Sequence, residues 1–419
     1  QRQMCIRDRI NTERCQSATN TWLIYRKSFA VTDVPNQLIA RIAADSKYWL
    51  WINDQLVVFE GGLKRGPSPS GTYYDPVDIA PYLTKGLNTI AILLWHFGKD
   101  GFSHINSGKA ALLFEAIAPG LEIVSDASWQ CALYEAYQNT EAPFPNYRMP
   151  ESNIRFDARQ AITNWNRTSF EGSLPGAVCV GKAGKAPFGE LVERPIPQWK
   201  NSGLLSYVSV RESLRGDTLF CRLPYNAQIT PYLKVEAEAG KTIHIRMDNY
   251  EGGSERNVRA EYITREGEQE YESYGWMNGH EVYYIIPEGV KVLDVKFRET
   301  GYDTEFTGSF SCNDPFMNEL WKRSARTLYI TMRDSYMDCP DRERAQWWGD
   351  EVNELGEAFY ALSPSSHKLA LKGIYELMNW QREDGVIFAP APAGNWRKEL
   401  PLQMLASVGW YGFYTQYYY

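Results

Sequence analysis

Over roughly its first three quarters the chain alternates apolar and polar residues with the period of a β-strand. IARIAADSKYWLWINDQLVVF (39–59) shows this alternation and carries Asn53-Asp54 where a tight hairpin would turn. DIAPYLTKGLNTIAILLW (78–95) reads as a turn followed by a continuous apolar run from Ile90 to Trp95, fit for a buried strand. LEIVSDASWQCALYEAY (121–137) adds a further alternating segment, and together these predict a β-sandwich. Residues 139–198 are rich in Pro, Gly and Asn and close on ERPIPQW, a predicted boundary because proline removes backbone donors. YLKVEAEAGKTIHIRM (232–247), HEVYYIIPEGVKVLDVKFRETG (280–301) and EFTGSFSC (305–312) then predict a second sandwich.

At residue 312 the period lengthens to about 3.6 residues. Asp314 followed by Pro315 is a helix start, with Phe316, Leu320, Ser324 and Leu328 near one face. WWGDEVNELGEAFYAL (347–362) has helical spacing, and Ser363-Pro364 opens another helix expected to stop at Gly385. The expected domains are therefore 19–198 (sandwich with an irregular extension), 199–311 (second sandwich) and 312–419 (helices). Residues 1–18, opening QRQMCIRDR, match neither a signal peptide nor a strand and are expected to be a non-native remnant outside the fold. The other end, VGWYGFYTQYYY (408–419), halts within an aromatic, helix-like segment without a cap, as a fragment would.

Composition narrows the function. The net charge of −7 argues against a nucleic-acid partner, which needs a concentrated basic surface. No apolar run approaches the ~18 residues of a membrane span. Aromatic residues reach 14%, with 14 Trp and 27 Tyr, and aromatic planes suit the C–H faces of sugar rings as well as sandwich cores. The seven cysteines show neither metal-ligand spacing nor a disulfide framework. The Gly-rich HFGKDGFSHINSGK (96–109) is a candidate binding loop without phosphate-loop spacing, and the five histidines stand apart in sequence.

The densest chemistry lies in DSYMDCPDRERAQWWGDE (334–351), between the first two predicted helices. Within it, DCPDRERAQWWGD resembles the signature of glycoside hydrolase family 78, the α-L-rhamnosidases, and more broadly the six-hairpin glycosidases. The commonest form reads D-C-P-x-R-D-E-R-x-x-W-x-G-D. This chain is one residue shorter between Arg and Glu; Glu343 preserves the spacing to Trp347 and Asp350, with Asp341 the other carboxyl at that point. The resemblance implies a multidomain fold of two N-terminal jelly-roll-like β-sandwich domains followed by the start of an (α/α)6 barrel. It implies inverting hydrolysis of terminal α-L-rhamnosides with Glu343 as general acid. Asp338, Arg342 and Asp350 match positions that hydrogen-bond the sugar, and Trp347 one that packs on it. The partner is then a rhamnose-containing glycoside or polysaccharide, with no cofactor required and a periplasmic or extracellular place favoured over the cytoplasm. Such a glycosidase needs a second carboxylate, expected from a later hairpin beyond Tyr419, so residues 1–419 alone are expected to be inactive, with apolar helix faces exposed.

The residue types have a reason of their own. Glycoside hydrolysis needs a carboxyl that keeps its proton, through burial and neighbouring negative charge, and a second carboxylate. Aspartates in close sequence would hold a proton on Glu343, whereas Arg342 and Arg344 would oppose it. The competing structural account is a helix-capping cluster, because acids near a helix start are stabilising. Two other functions stay open: a six-hairpin glycosidase for another sugar, and a non-catalytic carbohydrate-binding protein.

Overall fold

The computed structural model describes residues 8–251, 256–393 and 396–406. The chain is mostly β-strand, in several sheets, with few helices, and it divides into two compact units. The first comprises residues up to 100, 104–138 and 160–194; the second comprises 101–103, 139–159 and everything from 195 onward.

In the first unit a five-stranded sheet runs in the order Gln130–Leu133, Thr21–Val31, Gly86–His96, Lys47–Ile52, Gln55–Gly61. A second sheet is built around Ala111–Ala118, Ile39–Asp45 and Thr72–Asp78. Alternate residues of the two sheets, among them Leu23, Tyr25, Leu50 and Ile92 from one and Ala40, Ile42, Leu112 and Phe114 from the other, form one core. The turn after Lys47–Ile52 falls on Asn53 and Asp54, both with positive φ as a two-residue hairpin turn demands. The apolar run Ile90 to Trp95 is buried throughout, as predicted.

The exclusion of residues 1–18 from the fold is corrected from Asp8 onward. Asp8–Asn11 is a strand paired with Val178–Lys182, and Ile10 lies in the core. Residues 1–7 and the aromatic stretch 408–419 lie outside the described residues.

In the second unit the strands run in the order Ile154–Asp157, Ala260–Ile263, Thr242–Met247, Met277–Ile285, Thr218–Ala237, Val290–Gly301, Lys200–Ser206. The 20-residue strand Thr218–Ala237 shifts register between Arg222 and Ala227, which lets it pair with several neighbours over one core. Ile154–Asp157 pairs in parallel with Ala260–Ile263. That pairing draws 139–159 into this unit. EFTGSFSC is not a strand. Only Phe306 makes a bridge, to Leu362, and Gly308 lies so close to the Tyr360 carbonyl that a Cβ would overlap it.

The helices α1, Pro315–Ile330, α2, Trp348–Ala361, and α3, His367–Asn379, follow. The Asp314 side chain accepts from the Phe316 N–H at the start of α1, as its sequence predicts. α3 ends at Asn379, six residues before Gly385, which supplies a positive φ in the following loop. Leu328 is buried, but Phe316, Met317 and Leu320 of α1 and Tyr375 and Met378 of α3 are exposed. Among the described residues no helix is long and apolar enough to cross a membrane.

Candidate active site

The motif occupies the irregular connection from Thr331 to Trp347, between α1 and α2. Two buried arginines tie it to the sheet. Arg333 donates to Gln228 Oε1 (2.7 Å) and Thr300 Oγ1 (3.2 Å), while Gln228 Nε2 donates to the carbonyls of Ile330 (2.8 Å) and Met332 (3.1 Å). Arg344, in the left-handed region at φ 52°, donates to the Pro340 and Trp276 carbonyls and to Glu151 Oε1 (3.2 Å). Its guanidinium lies 3.4 Å from the centre of the Trp276 ring, and that of Arg333 4.8 Å away. A buried guanidinium needs both an acceptor set and a counter-charge, and Arg344 finds them in the Pro340 and Trp276 carbonyls and Glu151.

Asp338 closes the turn that follows. Its N–H donates to the Ala345 carbonyl (2.9 Å), and its Oδ1 accepts from the Ala345 N–H (3.0 Å). Its other oxygen accepts from Cys339 Sγ (3.3 Å) and lies 3.6 Å from Arg342 Nη2. Burial, with the nearby charge of Glu343 adding to it, pushes its carboxyl up to about 6. Asp341 is also pushed up to about 6 by burial and accepts from Asn249 Nδ2 (2.8 Å).

Glu343 is buried in this turn, not on a helix. Its Oε2 accepts from Trp347 Nε1 (3.0 Å), and its Oε1 faces Arg342 Nη2 (2.6 Å) and Arg148 Nη1 (3.6 Å). Trp347 precedes the first residue of α2, and Asp350, exposed, sits in that helix's first turn. Burial and the charge of Glu343 raise the Asp350 pKa. Asp338, Arg342, Glu343 and Trp347 are thus joined by direct contacts; the Asp350 N–H donates to the Trp347 carbonyl (3.1 Å), and its carboxyl is coupled to Glu343 and Arg342 through charge. Trp348, which has no counterpart in the signature, is fully buried.

Several neighbours are not legible from the motif. Phe102 packs edge-on to Trp347 (centroids 6.0 Å apart) and tilted to Trp396 (5.5 Å), and Arg148 lies over Phe102 and the exposed Tyr147. The Gly-rich character of 96–109 was the one signal for Phe102; nothing local marked Arg148. Trp396 joins this cluster, whereas Trp380 is buried against Phe388. On α2, burial raises the Glu351 pKa strongly and pushes Glu354 up to about 8. Glu376 pairs with Lys372 (2.7 Å) nearby on α3. Among the described residues no cluster of His, Cys, Asp and Glu has the arrangement of a metal site.

Residues 305–415, which include the motif and α1 to α3, match the model of the bacterial α-L-rhamnosidase 6 hairpin glycosidase domain. The GH78 family rhamnosidase of Bacillus sp. GL1 superposes with a TM-score of 0.86 at 17% identity, over 97% of this chain and 66% of that one. The α-L-rhamnosidase of Dictyoglumus thermophilum gives 0.73 at 21% identity, over 93% and 45%. The Streptomyces avermitilis α-L-rhamnosidase complexed with L-rhamnose gives 0.72 at 18%, over 90% and 38%. This chain therefore spans less than two thirds of each, and identities this low establish the shared fold. No curated protein matches it.

Proposed function

We propose that the rhamnosidase domain takes part in inverting hydrolysis of terminal α-L-rhamnosides, with Glu343 as the general acid. Glu343 protonates the leaving oxygen, and a second carboxylate about 6.5–9.5 Å away activates water on the opposite face. Asp338, Arg342 and Asp350 hold the sugar hydroxyls and Trp347 packs on the ring. The observation that carries this reading is the setting of Glu343: buried, one oxygen oriented by the Trp347 indole N–H, the other reached by a half-exposed arginine. Arg342 is free to turn from Glu343 toward a sugar hydroxyl, which releases Oε1 to carry the proton.

One observation favours a second reading. At 2.6 Å the Arg342 guanidinium engages Glu343 as an acceptor, and a carboxylate so held donates no proton. If Arg342 never leaves, the site binds a glycan without cleaving it. Enzymatic action on a different sugar would keep Glu343 in its role and change only the hydroxyl contacts.

Glu343→Gln in the full-length protein separates these readings. It keeps shape and removes the transferable proton, so kcat falls by roughly 10²-fold or more on rhamnosides with poor leaving groups, and less on activated aryl rhamnosides. Equal loss on both classes removes Glu343 from the acid role, and a wild-type protein that binds rhamnosides without cleaving any establishes the second reading.

A further inference from the structure

Arg148, which faces Glu343, and Lys398, which lies over Trp396, are poorly matched by anions. Arg148 has five N–H donors. Among the described residues its guanidinium reaches one carboxylate, Glu343, at 3.6 Å, beyond hydrogen-bond distance. Its other neighbours are the ring faces of Phe102 and Tyr147, at 5.7 and 5.2 Å. Lys398, exposed, lies over the Trp396 ring at 5.3 Å with no carboxylate partner among the described residues. Trp396 itself packs on Phe102, as Trp347 does. Buried Phe102 therefore backs a wall whose front carries an exposed tyrosine, a half-buried tryptophan and two cations with unused donors.

The backbone holds this wall in place. The Phe102 N–H donates to the Arg148 carbonyl (2.8 Å), the Arg148 N–H donates to Asn146 Oδ1 (2.9 Å), and Asn153 Nδ2 donates to the Pro143 carbonyl (3.1 Å). The same segment continues into Ile154–Asp157, which is fixed in the sheet. A ligand there meets aromatic faces suited to sugar C–H groups and donors suited to a carboxylate.

We propose that Tyr147, Arg148, Trp396 and Lys398 form a subsite for the leaving group, and that it takes a carboxylated sugar, a uronate. The general acid touches the leaving oxygen, so Arg148, which faces Glu343 without belonging to the rhamnose contacts, faces what departs; it lies over Tyr147 and Phe102, and Phe102 carries Trp396 with Lys398 over it. The uronate carboxylate accepts from Arg148 and Lys398, and its ring stacks on Tyr147 or Trp396. The term leaving group rests on the hydrolase reading above; the recognition of a carboxylated sugar does not.

The test is equilibrium binding of an α-L-rhamnosyl glucuronate disaccharide, and of its carboxyl-reduced neutral twin, to full-length protein carrying Glu343→Gln. The acidic disaccharide binds at least about tenfold more tightly, the worth of one charge-assisted hydrogen bond. That preference shrinks as salt is raised, collapses when Arg148→Gln is added, and weakens with Lys398→Gln, which changes an exposed side chain and leaves the fold intact. Equal affinity for the two disaccharides overturns the proposal, as does a preference that survives both substitutions. Wild-type protein that prefers the acidic twin yet hydrolyses neither disaccharide keeps the subsite and sinks the hydrolase reading, so the two failures are distinct.

Discussion

Each unit buries a knot of titratable groups, and the two knots hold their protons in opposite ways. In the first unit Asp45, His96 and His104 are completely buried. Burial alone would raise the Asp45 carboxyl, but His96 and the Ser107 N–H (3.0 Å) outweigh it, and the carboxyl is held far below the usual range. Ser46 Oγ also donates to it (2.7 Å). His104 accepts the Arg65 N–H at Nδ1, and burial pushes it down to about 3, so it stays neutral. In the second unit the carboxyls of Asp338, Asp341 and Glu354 are pushed up to about 6, 6 and 8, with burial the largest cause in each. Where the donors outweigh burial, as at Asp45, the carboxyl stays ionised; where burial outweighs them, as at Asp338, Asp341 and Glu354, it holds its proton toward neutral pH.

The largest expected effect tests the structural side of this contrast. Asp45→Ala leaves Ser46, the Ser107 N–H and His96 without their buried acceptor, and costs on the order of 3–5 kcal/mol. Calorimetry should show the loss in unfolding of the first unit, while rhamnoside turnover per folded molecule of the full-length protein is unchanged. A variant as stable as wild type would place Asp45 among dispensable polar residues. The acid side of the pH profile follows with its sign. His104 has a folded pKa below its ordinary 6.5, so the unfolded state takes up protons first and the first unit loses stability as pH falls from about 6.5 toward 3.

A smaller effect separates two aspartates that the sequence placed in one role. Asp338 accepts the Ala345 N–H that closes the turn carrying Glu343, so Asp338→Ala should cost about 1–3 kcal/mol of stability as well as weakening rhamnose binding. Asp350 is exposed in the first turn of α2, so Asp350→Ala should alter stability by no more than about 1 kcal/mol while still weakening rhamnose binding. Thermal melts and rhamnose titrations of both variants check this; an Asp350 variant that melts early yet binds normally is a lost helix cap and nothing more.

These two residues also show where sequence reading stops. Local chemistry was legible: the Asn53-Asp54 turn, the Asp314 cap and the position of the motif between α1 and α2 all depend on neighbours along the chain. What sets Glu343 in place was not. Arg148, Glu151 and Trp276 reach the motif because Ile154–Asp157 pairs with Ala260–Ile263, more than a hundred residues away, and no local pattern announces a parallel pairing at that distance. EFTGSFSC misled for the same reason: its alternation is that of a strand, but the Gly308 N–H donates to the Ala361 carbonyl at the end of α2 and the segment runs against that helix end.

The smallest effect belongs to Glu354, one turn beyond Asp350 on α2. Burial raises its carboxyl from 4.5 to about 8, a hydrogen bond with Thr331 opposes the rise, and the charges of Asp350 and Asp338 add to it. A folded pKa above the unfolded one means that the folded state binds the extra proton. Its contribution is therefore complete below about pH 4.5 and is lost as pH rises through about 8, the reverse of the first unit's dependence. Glu354→Gln keeps the neutral shape at every pH. Its melting temperature should equal that of wild type near pH 5 and exceed it by a few degrees near pH 9, at roughly 2–4 °C per kcal/mol for a unit of this size. Melting curves of the two proteins that stay parallel from pH 5 to 9 would mean that Glu354 is ionised throughout, and the proton-rich character assigned to the second unit would then rest on Asp338 and Asp341 alone.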